Sequence, residues 1–199
     1  MSVGYNMSNY YDINAKAYIE NTINCDMSIH YEKFLKYLPK RGKILDIGFG
    51  SGRDMIYFTS VGYEVEGIDT SVEFVKNMDN QGFNITLKSV TEIDYKNQYD
   101  GIWACASLLH IKREELEQVI VRCIDALKEN GVLYCSFKYG DIEIKNDERY
   151  FNYINEEIIK DIVDKNKLYI EESYITNDVR VDRKNEIWLN VIIKNRLGV

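Results

Sequence analysis

The chain of 199 residues has little that would place it in a membrane, on a secretory route or on a nucleic acid. Its longest apolar run, Gly101 to Leu109, is far shorter than the roughly 18 residues of a membrane span. The N-terminal residues have neither a basic start nor an apolar segment, so we expect a soluble, cytoplasmic protein. Lys and Arg number 25 against 32 Asp and Glu, a formal charge of −7, which makes nucleic acid an unfavourable partner.

Proline and paired cysteines are scarce as well. Pro39 is the only proline, and no repeat or low-complexity linker divides the chain, so we expect a single domain over residues 1–199. The four cysteines form no CxxC pair, and three of them lie in apolar segments. We therefore expect reduced thiols and predict no metal site.

The chain does contain short apolar segments that alternate with amphipathic stretches. The spacing predicts a helical region from Tyr10 to Leu38, ended by Pro39 and Gly42. A capping box of Thr70 and Glu73 predicts the start of a later helix. The other predicted elements are strands at 43–47, 63–68, 84–87, 101–105, 132–137, 168–175 and 186–194, and helices near 55–58, 70–81, 116–127 and 155–165.

Strands that alternate with helices favour parallel pairing, because a parallel neighbour cannot be reached through a tight turn. The fold class is therefore α/β, a three-layer sandwich. The last two strands are separated only by residues 177–185, so we expect an antiparallel hairpin there. Residues 138–153 are charged and rich in aromatic side chains, and we expect a loop or insertion over one end of the sheet.

A glycine-rich turn follows the first predicted strand. Gly48, Gly50 and Gly52 stand at alternate positions, where a backbone without Cβ atoms lets a ligand approach closely. The dinucleotide pattern G-x-G-x-x-G is not matched. Counted from Gly48, Arg53 stands where the third glycine should be, and counted from Gly50, Met55 stands there. The turn predicts a nucleotide-type site, and the failed pattern disfavours a nicotinamide oxidoreductase.

Two aspartates narrow the class of ligand that this turn can bind. Asp46 would repel a pyrophosphate at this turn by about 2–3 kcal/mol per charge pair, and it would suit an ammonium group such as that of S-adenosylmethionine. Asp69 ends the second strand, 19 residues after Gly50, where a carboxylate can accept both ribose hydroxyls. The alternatives are that Asp46 caps the loop amides and that Asp69, with Thr70, begins the next helix.

Four ordered segments resemble the motifs of the class I S-adenosylmethionine-dependent methyltransferases: ILDIGFGSGRD, VEGIDTS, YDGIWACASLLHI and LKENGVLYCSFK. The similarity covers roughly Tyr10 to Lys194. It implies a Rossmann-like sheet of seven strands in the order 3-2-1-4-5-7-6, with strand 7 antiparallel. It also implies that residues 1–40 form a helical lid segment and that residues 138–153 insert on the substrate side.

The resemblance also implies contacts with S-adenosylmethionine, and with the product S-adenosylhomocysteine. Arg53 would reach the cofactor carboxylate or the N-terminal segment, unless it is solvated. Ala104 to Ser107 would run along the methionine portion, although sheet core explains these residues equally well. The residues implied to line the methionine moiety are Asp46, Gly48, Phe49 and Gly50.

On the adenosine side, the resemblance places Asp69 at the ribose and Thr70 beside the adenine. Many relatives carry an acidic residue after the third strand to accept the adenine amino group. This chain has Ser89 there, followed by Val90 and Thr91. A hydroxyl or a backbone carbonyl would then replace the carboxylate.

The sulfonium donor makes the reaction a single in-line displacement, so the enzyme mainly aligns nucleophile, methyl and sulfur, an effect of roughly 7–11 kcal/mol in favourable systems. His110 follows the fourth strand and is the candidate general base, or else it only packs in its loop. We expect His30 to be an exposed surface residue. In the lid, Tyr11 and Tyr18 would wall the transfer site.

The insertion would supply the remaining acceptor contacts, namely Lys138, Tyr139 and Arg149. A small-molecule acceptor is the first prediction, because the chain is acidic and has no room for a separate substrate domain. Two alternatives stay open: a non-catalytic cofactor-binding or partner subunit, and an RNA (tRNA) methyltransferase. The latter would need a basic stripe built from Arg180, Arg183, Lys184, Lys194 and Arg196.

Overall fold

A computed structural model describes residues 7–146 and 149–195. Its helices are α1 (Met7–Thr22), α2 (Ser28–Leu35), α3 (Arg53–Ser60), α4 (Val72–Asp79), α5 (Arg113–Ala126) and α6 (Glu156–Lys165). Its strands are β1 (Lys43–Ile47), β2 (Glu64–Asp69), β3 (Asn84–Leu87), β4 (Tyr99–Ala104), β5 (Leu127–Lys138), β6 (Glu143–Asn146), β7 (Arg149–Asn152), β8 (Leu168–Asn177) and β9 (Ile187–Asn195).

Seven strands form one twisted sheet in the order β3-β2-β1-β4-β5-β9-β8. The first five pair in parallel, whereas β9 runs antiparallel to both β5 and β8. Counted without the short strands β6 and β7, this is the predicted order 3-2-1-4-5-7-6 with an antiparallel strand 7. The α/β class and the C-terminal hairpin are therefore confirmed.

Helices cover both faces of this sheet, as a three-layer sandwich requires. α5 and α6 pack on one face, and their apolar side chains form a continuous core with β4, β5 and β9. On the other face, α2, α3 and α4 enclose a second core rich in aromatic rings. There Trp103 stacks on Tyr134 with ring centroids 3.9 Å apart, a contact worth about 0.5–1.5 kcal/mol beyond the buried area.

The single helical region predicted from Tyr10 to Leu38 is wrong in one respect, because the chain forms two helices there. α1 ends at Thr22, and α2 begins at Ser28. Asp26 Oδ1 accepts a hydrogen bond from the Ser28 backbone amide at 2.9 Å. This turn satisfies an amide that has no partner within α2, and it lets the chain change direction without proline or glycine.

Two other boundaries differ from the prediction. The cap of α4 is Ser71, whose hydroxyl accepts from the Phe74 amide at 3.3 Å, and Thr70 lies one residue earlier. The turn at Asn130 is left-handed, with φ +67°, but it does not end α5. That helix stops at Ala126, and the next residue already pairs with Tyr99, so β5 begins before the turn.

The insertion predicted at 138–153 contains a two-stranded antiparallel hairpin, formed by β6 and β7. The Arg113 side chain of α5 fixes it to the domain, donating to Asn152 Oδ1 and to the Tyr153 carbonyl, both at 2.7 Å. Within the described ranges, no helix is both long and apolar enough to cross a membrane.

Candidate functional site

The glycine turn joins the end of β1 to α3 at the carboxyl edge of the sheet. Gly48 has φ +71° and Gly50 has φ +54°, conformations that favour glycine. A Cβ on Gly48 would stand 2.6 Å from Ser107 Cβ, and one on Gly50 would stand 3.0 Å from the Tyr18 ring. The turn therefore presents bare backbone, closed in by β4 and α1.

Asp46 lies beneath this turn and is 2% exposed. Its Oδ2 atom is buried and has no hydrogen-bond partner among the described residues. Burial, with the nearby carboxylates of Asp54 and Asp69, raises the pKa of Asp46 well above its usual value, although Arg53 opposes the shift. A buried oxygen without a partner suits a cationic ligand group, as the sequence predicts for the ammonium of S-adenosylmethionine.

Asp69 ends β2 directly beside the turn. Its Oδ2 accepts from the Gly50 amide at 3.0 Å, and its Oδ1 accepts from the Ser71 amide at 2.9 Å. Each carboxylate oxygen keeps a second acceptor position, so two hydroxyls can still be bound. Burial raises the pKa of Asp69, and the backbone hydrogen bonds oppose that rise. These bonds hold the carboxylate in place before any ligand arrives.

A cavity opens above the turn, and we call it the glycine-side cavity. Of the predicted adenosine contacts, Asp69, Thr70, Ser89 and Val90 lie on its wall, whereas Thr91 does not. The Thr91 hydroxyl instead lies 2.8 Å from the Ser89 hydroxyl. The complete wall consists of Tyr11, Tyr18, Ile47, Gly48, Gly50, Ile68, Asp69, Thr70, Phe74, Lys88, Ser89, Val90, Ala106, Ser107, Leu108, His110 and Ile111.

Three predicted methionine contacts do not line this cavity. Asp46 is buried behind its wall, and Phe49 and Ala104 lie in the core. Phe49 turns its ring into the core, where it lies against Gly67, and so it does not line the cavity. Ala104 is fully buried within β4, which supports the core interpretation of that residue. The chain reaches the cavity wall two residues later, at Ala106 and Ser107.

Arg53 is held by its neighbour and is not solvated. It donates to both oxygens of Asp54, at 2.7 and 2.9 Å. Asp54 also accepts from the Tyr31 hydroxyl at 2.5 Å and from Trp103 Nε1 at 2.8 Å. Burial alone would raise the pKa of Asp54, but Arg53 and these hydrogen bonds lower it. The charge pair fixes the Arg53 guanidinium at the wall of a second cavity.

This second cavity, the hairpin-side cavity, lies under the insertion and the connection between β8 and β9. It shares Tyr11, Tyr18, Ala106 and His110 with the glycine-side cavity. The other residues that line it are Thr22, Cys25, Met27, His30, Arg53, Cys105, Leu109, Tyr134, Ser136, Lys138, Arg149, Phe151, Thr176, Asn177, Asp178, Val179, Arg180, Arg183, Trp188 and Asn190. The two spaces thus meet at one wall.

His110 stands in that shared wall with both ring nitrogens engaged. Nδ1 lies 2.7 Å from the Tyr150 carbonyl, which can only accept, so Nδ1 carries the proton. Nε2 then accepts from the Tyr11 hydroxyl at 2.8 Å. Burial, with the charges of Arg149 and Lys138, lowers the pKa of His110 to about 3. His110 is therefore neutral near pH 7, and it orients the Tyr11 hydroxyl, whose own pKa burial raises to about 12.

Of the three acceptor contacts predicted in the insertion, two line the hairpin-side cavity and one faces away from it. Lys138 lines the hairpin-side cavity and forms an ion pair with Glu186 at 2.8 Å. Arg149 lines it as well. Tyr139 does not, because successive strand residues face opposite sides. It is 41% exposed, and its hydroxyl donates to Glu156 Oε2 at 3.0 Å.

The expectation of an exposed His30 is wrong. His30 is 6% exposed and lines the hairpin-side cavity, with Nδ1 3.0 Å from the Tyr174 hydroxyl. Burial lowers the pKa of His30 to about 4, with Arg53 contributing in the same direction. The missing signal was the position of Tyr174 on β8, because nothing near His30 in the chain indicates that this strand covers it.

The basic stripe considered for RNA does not form one surface. Arg180 and Arg183 line the hairpin-side cavity. Lys194 lies near the other end of β9, roughly 20 Å along the strand from Trp188. Lys184 is exposed. Arg196 lies outside the described residues.

Comparisons with known proteins agree with this geometry. Residues 44–131 match the family model described as a methyltransferase domain. A Staphylococcus carnosus protein described as an uncharacterized methyltransferase is 27% identical over 193 residues, which cover 88% of this chain and 90% of the relative. Residues 44–131, which match the family model, contain the glycine turn, Asp46 and Asp69.

Solved structures share the fold. A Burkholderia thailandensis 1,6-didemethyltoxoflavin N1-methyltransferase, with bound 1,6-didemethyltoxoflavin and S-adenosylhomocysteine, superposes with a TM-score of 0.78 at 18% identity, over 94% of this chain and 84% of that one. A Synechocystis magnesium protoporphyrin IX methyltransferase with bound S-adenosylmethionine gives 0.68 at 17% identity, over 94% of each chain. The fold is that of the Rossmann-like methyltransferases.

The resemblance seen in the four sequence motifs is confirmed by the family model, the relatives and the fold together. Residues 44–131 are thus similar to a methyltransferase domain, and the fold is shared with solved S-adenosylmethionine-dependent methyltransferases.

Proposed function

We propose that the protein transfers the methyl group of S-adenosylmethionine to a small-molecule acceptor held in the hairpin-side cavity. The observation that carries this proposal is the shared wall of Tyr11, Tyr18, Ala106 and His110. A donor in one cavity and an acceptor in the other would meet only there. Cytoplasmic location stays a prediction from the N-terminal sequence.

The residues around the glycine turn fit the donor. Asp69 lines the glycine-side cavity and would take the ribose hydroxyls, whereas Asp46 would act on the ammonium group only from its buried position behind the wall. Arg53 lines only the neighbouring cavity and donates to both oxygens of Asp54, so we do not assign it to the donor carboxylate. When bound, S-adenosylmethionine supplies a sulfonium whose methyl carbon is electrophilic.

Alignment is then the main contribution of this chain. Tyr18 closes over Gly50, its ring 3.0 Å from where a Cβ would stand, and so excludes water from the turn. In a closed space of this kind, orientation of the reactants is worth several kcal/mol, up to about 7–11. Because burial lowers the pKa of His110 to about 3, its imidazole is a weak base at pH 7, and its proposed contribution is to hold the Tyr11 hydroxyl in place across 2.8 Å.

Melting curves test the donor assignment. A ligand at a hundred times its Kd stabilises the folded protein by about 2.7 kcal/mol. For a chain of this size, that corresponds to roughly 5–11 °C in Tm. We expect such a shift with S-adenosylmethionine and S-adenosylhomocysteine and none with NAD. Unchanged melting with both S-adenosylmethionine and S-adenosylhomocysteine would refute the proposal.

Turnover is tested separately by S-adenosylhomocysteine release on a panel of small-molecule acceptors. His110→Ala and Tyr11→Phe should each slow transfer without removing the ligand-induced Tm shift. Transfer that is unimpaired in His110→Ala would remove the histidine from the mechanism. Tight donor binding with no transfer to any acceptor would instead favour the cofactor-binding subunit.

A further inference from the structure

The hairpin-side cavity is positive although the chain as a whole is negative. Five cationic side chains line it, Arg53, Lys138, Arg149, Arg180 and Arg183. The carboxylates paired with them among the described residues are Asp54, Asp178, Asp182 and Glu186. Five cations against four carboxylates leave one surplus positive charge at this cavity, although the sequence as a whole carries −7.

The carboxylates do not neutralise the cations one to one. Arg180 holds Asp178 with two hydrogen bonds, at 2.9 and 2.5 Å. Glu186 is shared, since it lies 2.8 Å from Lys138 Nζ and 3.6 Å from Arg183 Nη1. Arg183 Nε also lies 4.0 Å from Asp182 Oδ2. Of the five cations, Arg149 is therefore the one without a carboxylate partner among the described residues.

Arg149 has the least charge compensation of the five cations. Its Nε is buried and has no hydrogen-bond acceptor within the described part of the chain. Its guanidinium stacks 4.0 Å from the Tyr10 ring centroid and lies 5.2 Å from that of Phe151, so its plane is held by rings. A planar, always charged donor of this kind matches the two oxygens of a carboxylate.

The remaining wall favours a flat apolar body. Phe151, Trp188 and Leu109 line the same cavity as the cations. Trp188 Nε1 already donates to Asp178 Oδ2 at 3.0 Å, so the indole is fixed in position and its ring is a contact surface. Aromatic side chains of this kind bind planar ligands through stacked or edge contacts.

We infer that the acceptor is an aromatic acid whose carboxylate is bound by Arg149 and whose ring packs beside Phe151 and Trp188. This inference rests on the proposed function, because it assigns the hairpin-side cavity to the acceptor. It also explains why an acidic chain keeps five cations around one cavity.

Matched pairs of probes test the charge requirement. Benzoate with benzamide, and indole-3-acetate with indole-3-acetamide, differ in charge while keeping the ring. Each would be titrated calorimetrically into protein saturated with S-adenosylhomocysteine at low ionic strength, where screening is weakest. We expect at least one acid to bind tenfold or more tightly than its amide. Equal affinity within both pairs, or no binding of either acid, would overturn the inference.

Substitutions locate the subsite. Arg149→Gln should weaken binding of the acid at least tenfold and leave the amide unchanged, and Arg149→Lys should restore part of the loss. Arg183→Gln changes a half-exposed side chain and should weaken the acid less. Lys160→Gln is the matched control, because it removes an exposed positive charge on α6 that pairs with Asp164. Acid binding that is equal in Arg149→Gln and the parent protein would refute the assignment.

The two proposals fail in different ways. If S-adenosylhomocysteine raises Tm but the acids show no preference, the acceptor inference falls and the methyltransferase proposal stands. If S-adenosylhomocysteine does not bind at all, both fall together.

Discussion

Replacing Asp69 with alanine would perturb the free protein and the bound state separately. In the free protein, the Gly50 and Ser71 amides both donate to this carboxylate. Alanine leaves both amides without a partner, at a cost of about 1–3 kcal/mol each where they are buried. Since each kcal/mol moves Tm by about 2–4 °C in a chain of this size, Tm should fall by roughly 4 °C or more.

The ligand should be affected more strongly. A hydrogen bond to a charged group contributes about 1.5–3 kcal/mol, so losing two ribose contacts costs about 3–6 kcal/mol. That is at least a hundredfold in Kd. At a concentration of S-adenosylhomocysteine a hundred times the parent Kd, stabilisation would fall from about 2.7 kcal/mol to about 0.4 kcal/mol or less.

The assay is a pair of melting curves for each variant, with and without S-adenosylhomocysteine, supported by calorimetric Kd values. Asp94→Ala is the matched control, because the Asp94 side chain is 85% exposed and pairs only with Lys88 across 3.4 Å. It should lose neither stability nor ligand response. An Asp69→Ala protein that melts earlier but keeps the full ligand shift would show that this carboxylate shapes the turn and does not bind ribose.

Two further predictions follow from the turn and from the buried histidines. Gly48→Ala should abolish the Tm shift caused by S-adenosylhomocysteine, because the new Cβ would stand 2.6 Å from Ser107 Cβ. Gly62→Ala is the control, since Gly62 has φ +96° and open space around it, and this change should lower stability only. Equal Tm shifts in the two variants would contradict the prediction. Burial lowers the pKa values of His30 and His110 to about 4 and 3. Below pH 6.5 these histidines therefore take up protons mainly in the unfolded chain, and the free energy of unfolding decreases as the pH is lowered. Between pH 6.5 and 5 the two histidines should remove about 3 kcal/mol of stability relative to the His30→Gln/His110→Gln double variant, as measured by urea unfolding. Parallel pH profiles of the two proteins would refute this prediction.

The fold was predictable because periodicity along the chain reports which residues face a core. The strand predicted at 84–87 is β3, and the one at 43–47 is β1. Boundaries set by a single hydrogen bond were less accessible. Thr70 and Ser71 are both good capping residues, and Ser71 takes the role because Asp69 binds its amide while Asp12 of α1 accepts from its hydroxyl at 2.6 Å. That second contact joins segments far apart in the chain.

The site was predictable where one short segment carries it and not where distant segments meet. Gly48, Gly50 and Asp69 lie together because two adjacent parallel strands end there. The outward turn of Tyr139 depends on the exact register of β5, and the burial of His30 depends on β8. The cations of the hairpin-side cavity come mainly from β5, β7 and the connection after β8, so no local sequence pattern predicts that they meet.

The shared wall also separates two kinds of evolutionary change. Residues that face the glycine-side cavity alone come from loops at the ends of β1, β2, β3 and β4, whereas the hairpin-side cavity is completed by the insertion and by residues 176–190. Substitutions in those later segments reshape one compartment and leave the other intact. Under the proposed function, remodelling these peripheral loops would change which acceptor is bound and would leave the proposed donor cavity unaltered.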